Sequence, residues 1–255
     1  MLVLKLVLVA TSVLLASLVA RRFGHAVGGT VAGLPVIAGP VIGFVLASEP
    51  LPQAQAIVLT TLVCLPAAVV HMVVFAHAAT RWRAPVALLL ANTLLAATAA
   101  LLLGLPLPAW GVCLVALAAP ALGRLALPRL RLSPGAVAFP RSELLWRIAA
   151  AVVMAAAILH AAAHLPPLVG GVLLAVPIAG NVLPCFTLPR FGPAATVALL
   201  AGFIRGLGGF AAFFVTLHLA LQALSSGAAY ALAWAAALAV AAVLALRNLR
   251  QRAPR

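Results

Sequence analysis

The sequence predicts an all-α, polytopic membrane protein of about nine transmembrane helices. Three observations support this prediction. Of the 255 residues, 66% are hydrophobic and only 7% are charged, whereas soluble domains contain roughly 25% charged residues. The apolar residues form long stretches between Pro, Gly and polar breaks, and about 20 helical residues span the core of a bilayer. The basic residues lie in alternate connections, as expected when loops alternate between the two membrane surfaces.

Each apolar stretch is expected to be helical, because backbone polar groups cannot remain unpaired in hydrocarbon. In chain order, the predicted spans are residues 2–20, 28–48, 54–79, 85–104, 107–123, 144–164, 168–188, 194–222 and 228–246. The fifth span is the shortest and contains Pro120, but the alternation of the basic connections requires it. The first span is read as a helix rather than a signal peptide, because Leu18 occupies the small-residue position before a cleavage site and Arg21-Arg22 follows.

Arginine residues occur in every second connection between the predicted spans, namely after each odd-numbered span. The basic groups are Arg21 with Arg22 after the first span, Arg81 with Arg83 after the third, Arg124 to Arg141 after the fifth, Arg190 after the seventh, and Arg247 to Arg255 after the ninth. The connections after the even-numbered spans contain no Lys or Arg. Since cytoplasmic loops are enriched in Lys and Arg, the pattern predicts an external N-terminus and a cytoplasmic C-terminus.

The net charge of +14 comes from short connections rather than from a soluble domain. It predicts contacts with anionic lipid headgroups, each worth about 1 kcal/mol near the surface, and no nucleic-acid partner. Cys64, Cys113 and Cys185 lie inside apolar stretches without CxxC spacing, so neither a disulfide framework nor a metal site is expected. No GxSxG, HExxH or glycine-rich phosphate motif is present, and we expect neither an enzyme nor a bound cofactor.

The two halves of the chain can be aligned with each other. The matches in one register are Lys5 on Arg147, Gly28-Gly29 on Gly170-Gly171, and Pro35 on Pro177. Matching alanines are not evidence of duplication in so apolar a chain. A double glycine, a mid-helix proline and a basic residue near a helix end all match in one register, which indicates an internal duplication. The alternative is that the two halves share only a membrane composition.

The duplication predicts three parts of the chain. They are a first four-helix repeat over residues 1–104, a linker helix with a basic cytoplasmic loop over 105–143, and a second four-helix repeat with a basic tail over 144–255. Because an odd helix separates the repeats, the second is expected to insert with the opposite orientation. Inverted repeats of this kind are common in transporters, whose sites lie near the midplane.

The second helix of each repeat is interrupted by proline and glycine. Proline removes a backbone donor, and paired interruptions at matching places are the best sequence indication of a transporter site. The candidate substrate-binding residues at the two breaks are Pro35, Gly39, Pro40, Gly180, Asn181 and Pro184. The alternative is that these residues only kink helices or allow close packing.

Arg205 is the third candidate for substrate binding, because it lies well inside a predicted span. Such an arginine costs roughly 2.5–3.5 kcal/mol on insertion scales. The two acids of the chain, Glu49 and Glu143, are both expected near membrane surfaces. Arg205 is therefore expected to meet exposed carbonyls, water, a lipid headgroup or an anionic substrate, whereas Arg147, near a helix end, is expected to snorkel to the surface.

The first half resembles the small four-helix inner-membrane proteins of the GlpM type. The resemblance rests on Lys5, Arg21-Arg22, the segment AGLPVIAGPVIGFVLASEP and Arg81-Trp82-Arg83. It implies a bacterial inner-membrane location. The four-plus-one-plus-four plan also resembles fused fluoride channels and duplicated small multidrug transporters, which implies a transport function.

Two functions follow as hypotheses. The first is a small transporter or channel for an anionic or amphipathic solute, with a midplane site between two inverted repeats. The second is a membrane scaffold or regulatory subunit that transports nothing, in which Gly202, Gly206 and Gly209 pack helices together. The expected partners are membrane lipids and, for the first hypothesis, a small molecule or ion, with self-association as a homo-oligomer left open.

Overall fold

The computed structural model describes residues 2–130, 140–164 and 176–252. Every element in these ranges is an α-helix, as predicted. The helices are α1 (Leu2–Phe23), α2 (His25–Gly33), α3 (Ala38–Ser48), α4 (Leu51–Ala78), α5 (Ala84–Gly104), α6 (Ala109–Leu125), α7 (Arg141–His164), α8 (Ile178–Ala220) and α9 (Ser226–Arg252). The first part of the seventh predicted span, residues 168–175, lies outside the described residues, as do residues 131–139 of the predicted basic loop.

Six segments of the described chain are long and apolar enough to cross a membrane. They are Leu6–Phe23, His25–Ser48, Leu51–Ala78, Ala84–Gly104, Ile178–Ala220 and Ser226–Leu244. α6 is apolar but has only 17 residues. These lengths and compositions are those of a multi-pass membrane protein.

α8 combines two predicted spans in one element of 43 residues, which turns back on itself at Gly192. A straight helix of this length would extend about 64 Å, twice the thickness of the hydrocarbon core. The course of α8 follows from its neighbours. Gly180 faces Met72, Pro193 lies beside residues 79–85, and Leu221 accepts a hydrogen bond from Gln55.

Gly192 allows this turn because its φ of 77° lies in a region that side chains disfavour. Pro189 and Pro193 flank it and cannot donate backbone hydrogen bonds. α8 is therefore a helical hairpin, with a first segment over residues 178–191 and a second segment over 193–220. Arg190 lies at its turn, where the sequence predicts a connection.

α2 packs closely against the second segment of α8. A Cβ atom at Gly29 or Gly33 would collide with the carbonyl oxygens of Leu199 and Phe203, respectively. In return, a Cβ at Gly202 or Gly206 would collide with carbonyl oxygens of α2. The two helices run parallel, with one GxxxG motif facing another. Glycine allows the backbones to approach this closely, which is how membrane helices commonly associate.

The turn of α8, the α4–α5 connection and the junction of α1 with α2 lie at one end of the bundle. We call this the basic end, because the exposed residues Arg21, Arg22, Arg81 and Arg83 lie there.

Candidate functional site

A wide, open depression of about 870 Å³ lies at the basic end. One wall is the α4–α5 connection, residues 79–85, together with Leu88, and the other is formed by Cys185, Phe186, Leu188, Pro189 and Pro193 of α8. Arg83 ends the connection in an extended conformation and caps α5, which places the Arg81-Trp82-Arg83 motif at the rim. We call this the basic cavity. It combines positive charge at its mouth with an apolar wall.

Two asparagines lie about one helical turn deeper than the floor of the basic cavity. The Asn92 side-chain amide donates to the Leu88 carbonyl at 3.0 Å and to Asn181 Oδ1 at 3.1 Å. Asn181 is 1% exposed, and its own amide group lies 3.7 Å from Met154 Sδ. The pair thus joins α5 to the first segment of α8, and Leu88 and Cys185 separate it from the cavity.

The start of α8 lies beside this pair. Pro177 precedes the helix in an extended conformation, and the backbone N–H of Asn181 donates to the Pro177 carbonyl at 2.9 Å. The amide groups of a first helical turn have no acceptor within the helix, and they carry the positive end of its dipole. Pro184 cannot donate to the Gly180 carbonyl, so it frees a polar group one turn further on. Gly180, Asn181 and Pro184 therefore lie on one short segment of α8, and Asn181 of that segment contacts Asn92.

His71 of α4 is a buried polar residue that sequence reasoning did not place at a site. Its side chain is 0% exposed, and neither ring nitrogen has a hydrogen-bond partner among the described residues. The only near aromatic contact described for it is Phe75, at a centroid distance of 6.4 Å. A lone histidine in an apolar stretch carries no sequence signal that separates it from a packed core residue.

The first predicted break packs elsewhere. Pro35 lies between α2 and α3, and Gly39 and Pro40 are in the first turn of α3. Tyr230 donates to the Gly39 carbonyl at 3.2 Å, and Trp234 covers the space that a Gly39 side chain would fill. The structure thus places the first break against α9 and the second against α4 and α5. The six break residues form two separate groups.

Arg205 lies on a partly exposed stripe of α8, outside the lining of the basic cavity. Gly208, one turn further, has open space where a side chain would be. Arg124 in the last turn of α6 is close enough for its positive charge to act on Arg205. The two arginines add positive potential to the bundle without lining the cavity.

A charged cluster at the start of α7 corrects one sequence prediction. Arg147 is 2% exposed and does not snorkel. Its Nη2 lies 2.6 Å from Glu143 Oε1, Arg190 Nη1 lies 3.0 Å from Glu143 Oε2, and the Phe186 ring lies 5.7 Å from the guanidinium. The i,i+4 spacing of Glu143 and Arg147 was visible in the sequence, but the covering by α8 depends on the turn at Gly192.

Comparisons with protein-family models, curated proteins and solved structures find no match for this chain. No activity or residue role is carried over from another protein.

Proposed function

We propose that the protein is a small transporter or channel for an anionic or amphipathic solute, formed by two inverted repeats in the bacterial inner membrane. The basic end then faces the cytoplasm, the N-terminus lies outside and the C-terminus inside. This orientation follows from the enrichment of cytoplasmic loops in arginine. Anionic headgroups contact the same arginines at the surface.

One observation carries the proposal. The basic cavity reaches Leu88 and Cys185, about one helical turn from the buried Asn92–Asn181 pair and from the start of the first segment of α8. The first amide groups of a helix have no acceptor within the helix, so a helix N-terminus is a preformed environment for an anion. Substrate sites of transporters often use half-helix N-termini in this way.

The chemistry of the cavity favours negative charge on the solute. Arg81 and Arg83 concentrate anions at the mouth, as clefts with one sign of charge do. Trp82 and Phe186 line the cavity with aromatic surface that suits an amphipathic solute. Outside the cavity lining, Arg205 and Arg124 add positive potential to the bundle, and the described residues place no carboxylate beside them.

The inverted-repeat arrangement is supported by the two breaks. Pro35 and Pro177, which match in the sequence alignment, each shortly precede a helix that starts inside the bundle. α3 then runs away from the basic end, whereas the first segment of α8 runs toward it. Opposite directions at matched positions are what two inverted repeats would produce. With both segments of α8, α6 and α7 counted as spans, the proposal has nine spans.

The alternative is a scaffold or regulatory subunit, and the glycine packing favours it. Gly202 and Gly206 contact the α2 backbone, so these residues join helices rather than line a path. The same packing also suits a transporter with a rigid centre. A flux measurement separates the two functions.

The cavity arginines provide the test. Purified protein in liposomes with potassium and valinomycin is assayed for flux of chloride, nitrate and inorganic phosphate. The double variant Arg81→Gln/Arg83→Gln is expected to lower the flux several-fold, because the cavity mouth loses its positive potential. The matched control is Arg21→Gln/Arg22→Gln, which removes the same charge from the basic end but outside the cavity lining.

Two results would contradict the proposal. If no anion crosses above the rate of empty liposomes, the scaffold alternative is favoured. If both double variants lower the flux equally, the basic cavity is not the path.

A further inference from the structure

Arg124 of α6 and Arg205 of α8 form a pair of like charges on the side of the bundle. The residues that precede them meet where the two helices pack, because a Cβ atom at Gly123 would lie 3.6 Å from Ile204 Cγ2. α6 runs toward the basic end and the second segment of α8 runs away from it. In such an antiparallel pair of right-handed helices, the residue after each contact turns to the same side. The positive charge of Arg124 accordingly acts on Arg205.

α6 ends short of the basic end. It runs in the same direction as α4, since Ala126 just after α6 contacts His77 near the end of α4. A Cβ atom at Gly123 would collide with Val69, whereas α4 continues to Ala78, so α6 stops about two turns before α4 does. Its 17 residues extend about 25 Å, less than the roughly 30 Å of hydrocarbon. A bilayer thins beside a helix that is too short, which brings headgroups down to the end of α6.

No acidic side chain is left to balance the two arginines. The chain has only two acidic residues, Glu49 and Glu143, and both lie in the described part of the structure. Glu143 is already shared by two other arginines, and Glu49 follows α3 at the opposite end of the bundle. Charged groups within a membrane are costly and are normally paired. A bound anion can therefore supply the charge that no side chain supplies to Arg124 and Arg205.

The surface around Arg205 favours a lipid as the source of that anion. Arg205 lies about 18 Å along the helix from Pro193 and outside the lining of the basic cavity. It shares a partly exposed stripe with Ala201, Gly208 and Ala212, and no described residue lies within 4 Å of an added Cβ at Gly208. These small residues leave room for an acyl chain along α8. A lipid carries its phosphate there on apolar chains, whereas a soluble anion would have to lose its water.

We propose that Arg124 and Arg205 bind the phosphate of an anionic phospholipid in the leaflet at the basic end, with one acyl chain along α8 beside Gly208. Arg205 leans toward the basic end, because side chains tilt toward the N-terminus of their helix, and Arg124 lies in the last turn of α6. Guanidinium and phosphate groups form paired, charge-assisted hydrogen bonds. Basic pockets between membrane helices on the cytoplasmic side hold lipid headgroups in this way. The lipid site does not depend on the anion transport proposed above.

The dependence of thermal stability on added lipid measures this binding, because a ligand that binds only the folded state stabilises it. Purified protein in a neutral detergent is titrated with phosphatidylglycerol, and the midpoint temperature of unfolding is expected to rise. Phosphatidylcholine is expected to raise it much less, because arginine repels the choline group. Glycerol 1-phosphate offers a phosphate without acyl chains and is expected to produce no rise at the same concentration.

The double variant Arg124→Gln/Arg205→Gln assigns the binding to this pair. It is expected to lose most of the rise that phosphatidylglycerol produces, while its midpoint temperature without lipid is equal or higher, because two unbalanced charges are removed. The matched control is Arg21→Gln/Arg22→Gln, which removes the same charge from the basic end and should retain the rise. An equal rise in the two double variants would overturn the assignment.

The wild-type titrations decide the nature of the ligand even if a variant does not fold. Equal rises with phosphatidylglycerol and phosphatidylcholine would overturn the selectivity for an anionic lipid. A rise with glycerol 1-phosphate as large as that with phosphatidylglycerol would identify a site for a soluble anion and overturn the lipid site.

Discussion

Arg147 is the largest side chain that is fully buried in the described structure. Burying a cation costs several kcal/mol unless ionic and hydrogen-bonding partners offset it. Here Glu143 binds Arg147 through one carboxylate oxygen and Arg190 through the other. One carboxylate thus serves two arginines from different helices, and it ties α7 to the turn of α8.

Removal of this carboxylate charge should destabilise the protein. Glu143→Gln removes the carboxylate that pairs with both Arg147 and Arg190, and breaking such a buried pair costs about 3 kcal/mol or more. The matched control is Glu49→Gln, which removes the other acid of the chain from an exposed position and should change stability by less than about 0.5 kcal/mol. Thermal unfolding in detergent measures both. Equal midpoints for the two variants would show that the cluster contributes no stability.

At the scale of helices, the contact of α2 with α8 depends on the absence of side chains. Lipid tails are as apolar as leucine, so burial of apolar surface does not drive helices together in a membrane. Close backbone approach replaces that driving force with van der Waals contacts and weak Cα–H···O interactions. The motifs Gly29-x-x-x-Gly33 and Gly202-x-x-x-Gly206 provide the matching flat surfaces that let the two backbones approach.

A leucine at Gly206 should separate the two helices. Its Cβ would collide with the Thr30 carbonyl and with Gly33, and backbone cannot move aside as a flexible side chain can. Overpacking of this kind costs about 1–3 kcal/mol. We therefore expect Gly206→Leu to lower the midpoint temperature of thermal unfolding in detergent, because the folded state is less stable by this free energy.

Gly208→Leu is the control for that prediction. It makes the same substitution half a turn away in the same helix, where nothing lies within 4 Å of an added Cβ. Its stability should be unchanged or slightly higher, because a helical glycine is less favourable than alanine by about 1 kcal/mol. A lower unfolding temperature for Gly208→Leu than for Gly206→Leu would contradict the packing.

At the scale of the whole molecule, the bundle has one strongly basic end. The described connections at the opposite end, after α3 and α5, contain Glu49 and prolines but no Lys or Arg. The basic cavity opens on the arginine side, so the proposed orientation makes it accessible from the cytoplasm.

Cysteine labelling tests that orientation. In a background without Cys64, Cys113 and Cys185, Gln53→Cys and Ser225→Cys should react with an impermeant maleimide added to intact cells. Trp82→Cys should react only after the membrane is permeabilised, because it lies at the basic end. Labelling of all three positions from outside would contradict the topology.

Much of this architecture was predictable from the sequence. Long apolar stretches can only be helices in hydrocarbon, so the all-α class followed from composition and chain breaks. Interruptions at Pro35 and near Pro177 were predicted because proline lacks a backbone donor.

Only the tertiary structure decided which of these residues meet. Sequence spacing describes neighbours on one helix, whereas Asn92 and Asn181 are joined because α8 turns at Gly192 and its first segment packs beside α5. The same turn buries Arg147 and forms the wall of the basic cavity. Arg205 stood out in the sequence because a charge in an apolar stretch is unusual, but its partial exposure depends on which helices cover α8. Hydrophobic length therefore determined what the elements are, and the contacts between distant helices decided where the candidate site lies.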